Sequence, residues 1–202
     1  MKIICIGRNY AAHAKEMKSA VPTEPVFFLK PDTALLKEED FYIPEFSNEL
    51  HHEIELVLKI CKVGKHIEEK FANKYYDEIG LGIDFTARDL QAKCKEKGLP
   101  WEKAKAFDNS APIGKFIMLD KIKNINDINF ELKINGVAKQ IGNSKDLIFS
   151  FDKVISYVSQ FITLKQGDLI YTGTPEGVGP VHAGDKLEGF LNGESFLKLN
   201  IK

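Results

Sequence analysis

Two Asn-Gly pairs, each set between short runs of apolar residues, limit the folds open to this chain more than any other feature. Asn-Gly is the strongest local signal for a two-residue hairpin turn, because both residues tolerate the positive φ that the turn demands. Residues 130–134 and 137–141 flank Asn135-Gly136, and residues 187–191 and 195–201 flank Asn192-Gly193. Further strand-like runs occupy residues 3–6, 26–29, 51–61, 79–85 and 168–171, and Pro31 stops the second of them. Helical character is confined to residues 10–18, 68–78, 86–97 and 152–161, the last with apolar residues at 154, 155, 158 and 161. Thr86 followed by Asp89 resembles a capping box, and Gly98 with Pro100 supplies the stop. Residues 31–50 read mostly as loop. Strands and helices do not alternate strictly, which excludes a doubly wound parallel sheet. The expectation is an α+β fold, a mixed or mainly antiparallel sheet with a few covering helices.

With 202 residues, one domain over 1–202 is expected, large enough to fold without disulfides or a structural metal. Lys and Arg total 28 against 29 Asp and Glu, a net charge of −1, so no nucleic-acid partner is expected. Cys5, Cys61 and Cys94 are widely spaced and form no C-x-x-C pair, which suits a reducing, cytoplasmic setting. The apolar run at residues 3–6 is too short for a leader, and no stretch is long enough to span a membrane.

Three carboxylates stand out against this background. In residues 51–61 the side chains alternate, so Ile54, Leu56, Leu58 and Ile60 share a core face while Glu53, Glu55 and Val57 share the other. Two glutamates side by side repel, and a divalent cation removes that conflict. Asp84 ends the apolar run 79–83, where a carboxylate needs a partner or a metal. Glu53, Glu55 and Asp84 together suit Mg2+ or Mn2+, which take oxygen ligands; zinc fits less well without a Cys/His cluster. A solvated E-x-E strand face accommodates the same glutamates, so spacing alone leaves both readings open.

Other polar pairs carry weaker signals. Arg88 and Gln91 share a helix face near Asp84 and could hold a substrate carboxylate, or be an ordinary surface pair. His13 and Glu16, three apart, make either a general base with its orienting carboxylate or a surface contact. Lys105 lies among aromatic residues. The loop 172–179 lacks the features of a nucleotide-binding loop, but could present Thr174 and backbone N–H groups to an anion. His51 and His52 read as neighbours of the site rather than ligands, and His66 and His182 carry no signal.

The ordered set Gly7-Arg8-Asn9-Tyr10, His13 with Glu16, Phe28-Leu29-Lys30-Pro31, His51-His52-Glu53-Ile54-Glu55-Leu56, Asp84-Phe85-Thr86-Ala87-Arg88-Asp89, Gly98-Leu99-Pro100-Trp101, Lys105 and Thr172-Gly173-Thr174-Pro175 resembles the fumarylacetoacetate hydrolase family, in its short single-domain acylpyruvase branch. The resemblance runs over nearly the whole chain. It implies a mixed β-roll, a homodimer, and magnesium held by Glu53, Glu55 and Asp84. His13 and Glu16 would form the catalytic pair on a lid helix within residues 1–25. Lys105 would sit by the reacting carbon, and Arg88, Gln91 and Thr174 would help to bind substrate. The founding two-domain enzyme has an additional N-terminal domain and a fourth carboxylate ligand, which the pattern here lacks. The expected substrate is therefore a 2,4-dioxo acid such as acetylpyruvate or fumarylpyruvate rather than fumarylacetoacetate. His13 would activate water and Lys105 would stabilise the oxyanion, giving pyruvate and a carboxylic acid. The same metal site would also support oxaloacetate decarboxylation or keto–enol interconversion, or isomerisation of 2-hydroxyhepta-2,4-diene-1,7-dioate. A non-catalytic metal-binding dimer is the further alternative.

Overall fold

The computed structural model describes residues 1–17 and 20–202. In chain order its elements are β1 (Ile3–Gly7), α1 (Ala11–Glu16), β2 (Val26–Lys30), β3 (Leu35–Leu36), β4 (Asp40–Phe41), β5 (Leu50–His52), β6 (Ile54–Ile60), β7 (Tyr76–Ile83), β8 (Thr86–Ala87), α2 (Arg88–Lys97), α3 (Glu102–Lys105), β9 (Ala111–Met118), β10 (Asn129–Ile134), β11 (Val137–Asn143), α4 (Phe151–Phe161), β12 (Leu169–Tyr171), β13 (Gly179–Pro180), β14 (Lys186–Leu191) and β15 (Glu194–Ile201). They form three curled sheets: a seven-stranded one ordered β2-β1-β12-β6-β7-β9-β3, a five-stranded one ordered β11-β10-β14-β15-β4, and a three-stranded one ordered β13-β5-β8. Pairing is antiparallel except for β1 with β12, β3 with β9 and β4 with β15. This is the mixed α+β architecture expected. Both Asn-Gly turns are present, with φ of 52° and 80° at Asn135 and Gly136 and of 47° and 86° at Asn192 and Gly193, the values that turn type requires.

The strand read as continuous over residues 51–61 is two strands in different sheets. β5 pairs with β8 and β13, β6 pairs with β7 and β12, and Glu53 lies at the corner between them. The alternation nevertheless holds along β6. Ile54, Leu56, Leu58 and Ile60 join the main core between the sheets, while Val57 joins a second buried layer with Ile3, Cys5, Ala34, Ala111, Leu169 and Tyr171. Both faces of the central strands are therefore apolar, and Glu55 projects at the end of the second layer.

Other local expectations are corrected. The helix expected over 68–78 is a single 3-10 segment, Glu69–Lys74, and the chain is already extended from Tyr76, where β7 pairs with both β6 and β9. The strand ladder on both edges outweighs the helix propensity of that segment. Thr86 is not a cap: α2 starts after Ala87 without a side-chain cap, and the Asp89 carboxylate accepts from Ser47 Oγ at 2.7 Å. The helix expected over 152–161 is α4, at whose end Phe161 is 56% exposed and packs on Tyr157 and Phe27. The first helix is shorter than expected, and Lys18, in the expected range, lies outside the described residues. Among the described residues no helix is long and apolar enough to cross a membrane.

Candidate active site

Strand register brings the three carboxylates together. Ile54 is opposite Ile83 and Glu55 opposite Gly82, so Asp84 falls beside Glu53, and the Asp84 N–H donates to Glu53 O at 2.8 Å. Gly82 is required by space rather than by φ: a Cβ there would come within 2.5 Å of the Tyr171 ring. Oxygens of Glu53, Glu55 and Asp84 lie within 4.8 Å of one another, and all three residues are buried.

Three cations, Lys30 and Lys105 buried and Arg88 partly buried, face Glu53 and Asp84. Lys105 Nζ bridges Glu53 Oε2 at 2.8 Å and Asp84 Oδ2 at 2.6 Å. Arg88 Nη2 donates to Glu53 Oε1 at 2.6 Å, and its Nη1 donates to Gln91 Oε1 at 2.7 Å. Lys30 Nζ lies 2.7 Å from Asp84 Oδ1. The Lys30 ammonium donates instead to Ser110 O at 2.7 Å and, more weakly, to Phe85 O at 3.4 Å. Its approach to Oδ1 lacks hydrogen-bond geometry, so that buried oxygen is left without a donor. Thr86 Oγ1, the expected cap, donates to Glu53 Oε1 at 3.0 Å. Around Glu55 the balance is different: its Oε2 accepts the Gly173 N–H at 2.7 Å, and no lysine or arginine pairs with it among the described residues. The glycine-rich loop thus does present a backbone N–H to an anion, but the anion is the chain's own.

Charge and burial act differently on the carboxylates. Burial alone would raise the Glu53 carboxyl, yet Lys105 and Arg88 outweigh it and hold the group well below the usual carboxylate range. Burial and then the charge of Asp84 push Glu55 well above that range, against the Gly173 N–H. For Lys105, burial opposes the charge, but Asp84 and Glu53 raise the ammonium above the ordinary lysine value. An oxygen-only donor set, with one donorless oxygen on Asp84 and one carboxylate lacking a basic partner, fits a hard divalent cation. A consequence can be measured. Because a carboxyl raised by burial and by Asp84 would have to ionise to hold a cation, Mn2+ binding to the metal-free protein is expected to release protons and to tighten as pH rises. Calorimetry in two buffers of different ionisation enthalpy reads this directly, and identical heats in both would contradict it.

His13 and Glu16 meet at one end of the cleft. His13 is 6% exposed, its Nδ1 is 3.0 Å from Glu16 Oε2, and Glu16 Oε1 accepts the Gly177 N–H at 3.0 Å. The carboxylate thus fixes Nδ1 as the protonated nitrogen and leaves Nε2 to exchange a proton. Thr174 also lines the cleft, but its hydroxyl is largely committed. It donates to Ile54 O at 2.8 Å and accepts from Gln140 Nε2 at 2.8 Å, so it can offer a ligand only one acceptor lone pair. His51 Nδ1 accepts from Arg88 Nε at 3.3 Å, beside the site as expected.

Two residues without a role in the sequence reading belong here. Lys30 is quoted in a motif above, and its signal is a lysine ending an apolar strand. Gln140, on β11 of a different sheet, donates to Thr174 Oγ1 and Pro175 O and accepts from Ile54 N and His52 Nδ1. All its hydrogen-bonding capacity goes into holding the 174–175 loop against the start of β6. No sequence signal points to it, because its partners are far away in the chain. The cleft between these groups is also lined by Arg8, Met17, Phe28, Lys95 and Trp101, and its free volume is about 40 Å3. A water needs on the order of 10–15 Å3, so a few waters fit among these side chains.

A mixed roll carrying three convergent carboxylates, the cations that face them and a carboxylate-backed histidine has the make-up of an enzyme active site able to hold a metal ion. The model of the fumarylacetoacetate (FAA) hydrolase C-terminal family matches residues 2–200, and the chain belongs to that family. It is 45% identical over 201 residues to the mitochondrial oxaloacetate tautomerase of Mus musculus, covering 99% of this chain and 91% of that protein. It is 43% identical over 196 residues to an oxaloacetate tautomerase of Escherichia coli (strain K12), covering 96% of this chain and 90% of that protein. Among solved structures, the fumarylpyruvate hydrolase of Pseudomonas aeruginosa in complex with Mn2+ and pyruvate superposes with a TM-score of 0.94 at 38% identity, covering 100% of this chain and 89% of that one.

Proposed function

We propose that this chain is a Mg2+- or Mn2+-dependent oxaloacetate tautomerase, interconverting the keto and enol forms of a 2-oxo diacid. The similarity to oxaloacetate tautomerases over almost the full chain carries this reading, and the charge around the cleft supports it. Glu53, Glu55 and Asp84 would hold the ion, which supplies Lewis-acid withdrawal of electrons from the 2-oxo acid end. Arg88 and Lys105 attract and orient that end. His13 Nε2 takes the proton from the carbon beside the 2-oxo group. Glu16, anchored by Gly177, stabilises the imidazolium, which then returns the proton to the oxygen. No water attack is required.

A second reading, hydrolysis of acylpyruvates to pyruvate and a carboxylic acid, is favoured by the fumarylpyruvate hydrolase similarity. One panel separates the two: the rate of enol loss from oxaloacetate against pyruvate release from acetylpyruvate, with and without Mg2+. The tautomerase reading expects kcat/KM for oxaloacetate to exceed that for acetylpyruvate by at least about tenfold, and the reverse order selects the hydrolase. In a His13→Ala variant, tautomerisation is expected to fall by about 100-fold or more, the usual contribution of a positioned base, while oxaloacetate decarboxylation falls much less. Equal losses would remove His13 from the proton-transfer role.

A further inference from the structure

Arg8 and Lys95 line the same cleft, yet neither forms an ion pair with a carboxylate of any described residue. The inner cations Lys30, Lys105 and Arg88 are already matched against Glu53 and Asp84, so these two are positive charge in surplus. Each is held deliberately. Arg8 has φ of 61°, a left-handed conformation that a long side chain rarely adopts and that persists only where the surroundings enforce it. The enforcement comes from Asn9, fully buried next to it: its Nδ2 donates to Thr172 O at 2.8 Å and Phe149 O at 3.1 Å, and its Oδ1 accepts the Phe149 N–H at 2.7 Å. Lys95 follows Arg88 and Gln91 on one face of α2, and its ammonium lies 5.6 Å from the centre of the Trp101 ring. Partial burial, followed by the charges of Arg88 and Arg8, lowers the Lys95 ammonium from its ordinary value, and the more weakly acting charge of Glu53 does not offset them.

We infer that Arg8 and Lys95 form a second anion position at the outer end of the cleft, which takes the distal carboxylate of a dianionic 2-oxo diacid and so selects diacids over acids with an apolar end. This rests on the reading above that the 2-oxo acid end engages Arg88, Lys105 and the carboxylate triad. Arg8→Met and Lys95→Met keep the side-chain stems and remove the charge. For each, the ratio of kcat/KM values for oxaloacetate over acetylpyruvate is expected to fall at least about tenfold, through KM rather than kcat, the loss typical of one charge-assisted contact. Lys95 is an exposed helical position, so Lys95→Met reports on charge even if Arg8→Met disturbs its loop. A ratio unchanged in Lys95→Met overturns the inference.

Binding gives a readout independent of turnover. Malate and lactate share a 2-hydroxy acid end and differ in the distal carboxylate. Calorimetry on the Mn2+-loaded protein is expected to show malate binding at least about tenfold more tightly than lactate, with the gap closing in both variants. If the wild-type protein turns over no 2-oxo acid but the gap is present and closes in the variants, the anion position stands and the proposed reaction fails. If there is no gap, or the gap persists in Lys95→Met, the anion position fails whatever the reaction.

Discussion

An Asp84→Asn variant is expected to lose at least about 1000-fold in kcat/KM, because withdrawing electrons through a correctly held cation is worth several kcal/mol at the transition state. Two further losses accompany the catalytic one. Mn2+ binding weakens because the carboxylate with the donorless oxygen is gone. The fold weakens because Lys30, with a side chain 0% exposed, and Lys105, 4% exposed, both lose their shared counter-charge. Breaking a buried pair from one side costs about 3–5 kcal/mol. Thermal unfolding with circular dichroism establishes whether the variant still folds. Asp84→Glu, which keeps the charge but displaces the oxygens by one methylene, separates the effects: stability is expected to recover substantially and turnover to stay low. Turnover near wild type in either variant would remove Asp84 from the metal site.

Lys105→Met is expected to act in opposite directions on the metal-free and metal-loaded protein. Without the ammonium, Glu53 and Asp84 face each other as buried like charges, and the metal-free fold should lose about 3–5 kcal/mol. A divalent ion replaces the missing positive charge, so Mg2+ should raise the melting temperature more in the variant than in wild type. On the proposed role of Lys105 toward substrate, activity should still fall by about 100-fold or more, because the ion would replace the charge but not the hydrogen-bond donor. The pH dependence has a definite sign. A carboxyl held below its unfolded value stabilises the fold above that unfolded value, and the contribution is lost as pH falls toward the folded value. Lys105 is the largest of the charges holding Glu53 down. Acid unfolding of the metal-free variant should therefore begin at a higher pH than in wild type. A variant with wild-type acid stability and an unchanged response to Mg2+ would show that Lys105 contributes no counter-charge.

Sequence periodicity reached a long way into this protein because its signals are local. Asn-Gly turns, the alternation of Ile54, Leu56, Leu58 and Ile60, and the apolar spacing along α4 depend only on near neighbours and backbone geometry. Each has its counterpart in the structure. The carboxylates at 53, 55 and 84 could be singled out for a related reason: charges on otherwise apolar strands are costly without a partner. Where two strand ladders competed with local propensity, at residues 76–78, or where the chain changed sheets at Glu53, local reasoning misplaced the boundary. Thr86 shows the same limit, since a residue with the chemistry of a cap binds Glu53 instead.

What only the tertiary structure decided is which charges meet. Lys30 and Lys105 are 75 residues apart in number and converge on Asp84 because β2, α3 and the end of β7 close around one point. Gln140 reaches Thr174 from another sheet, and Arg8 and Lys95 line one cleft that no single segment contains. Burial makes the meeting of Lys30 and Lys105 with Asp84 consequential: in water such pairs are worth little, whereas away from solvent a broken ion pair costs about 3–5 kcal/mol. Sequence therefore determined the elements and the residues able to do chemistry, and the fold determined their partners, because partnership depends on distance and dielectric, which a linear spacing does not encode.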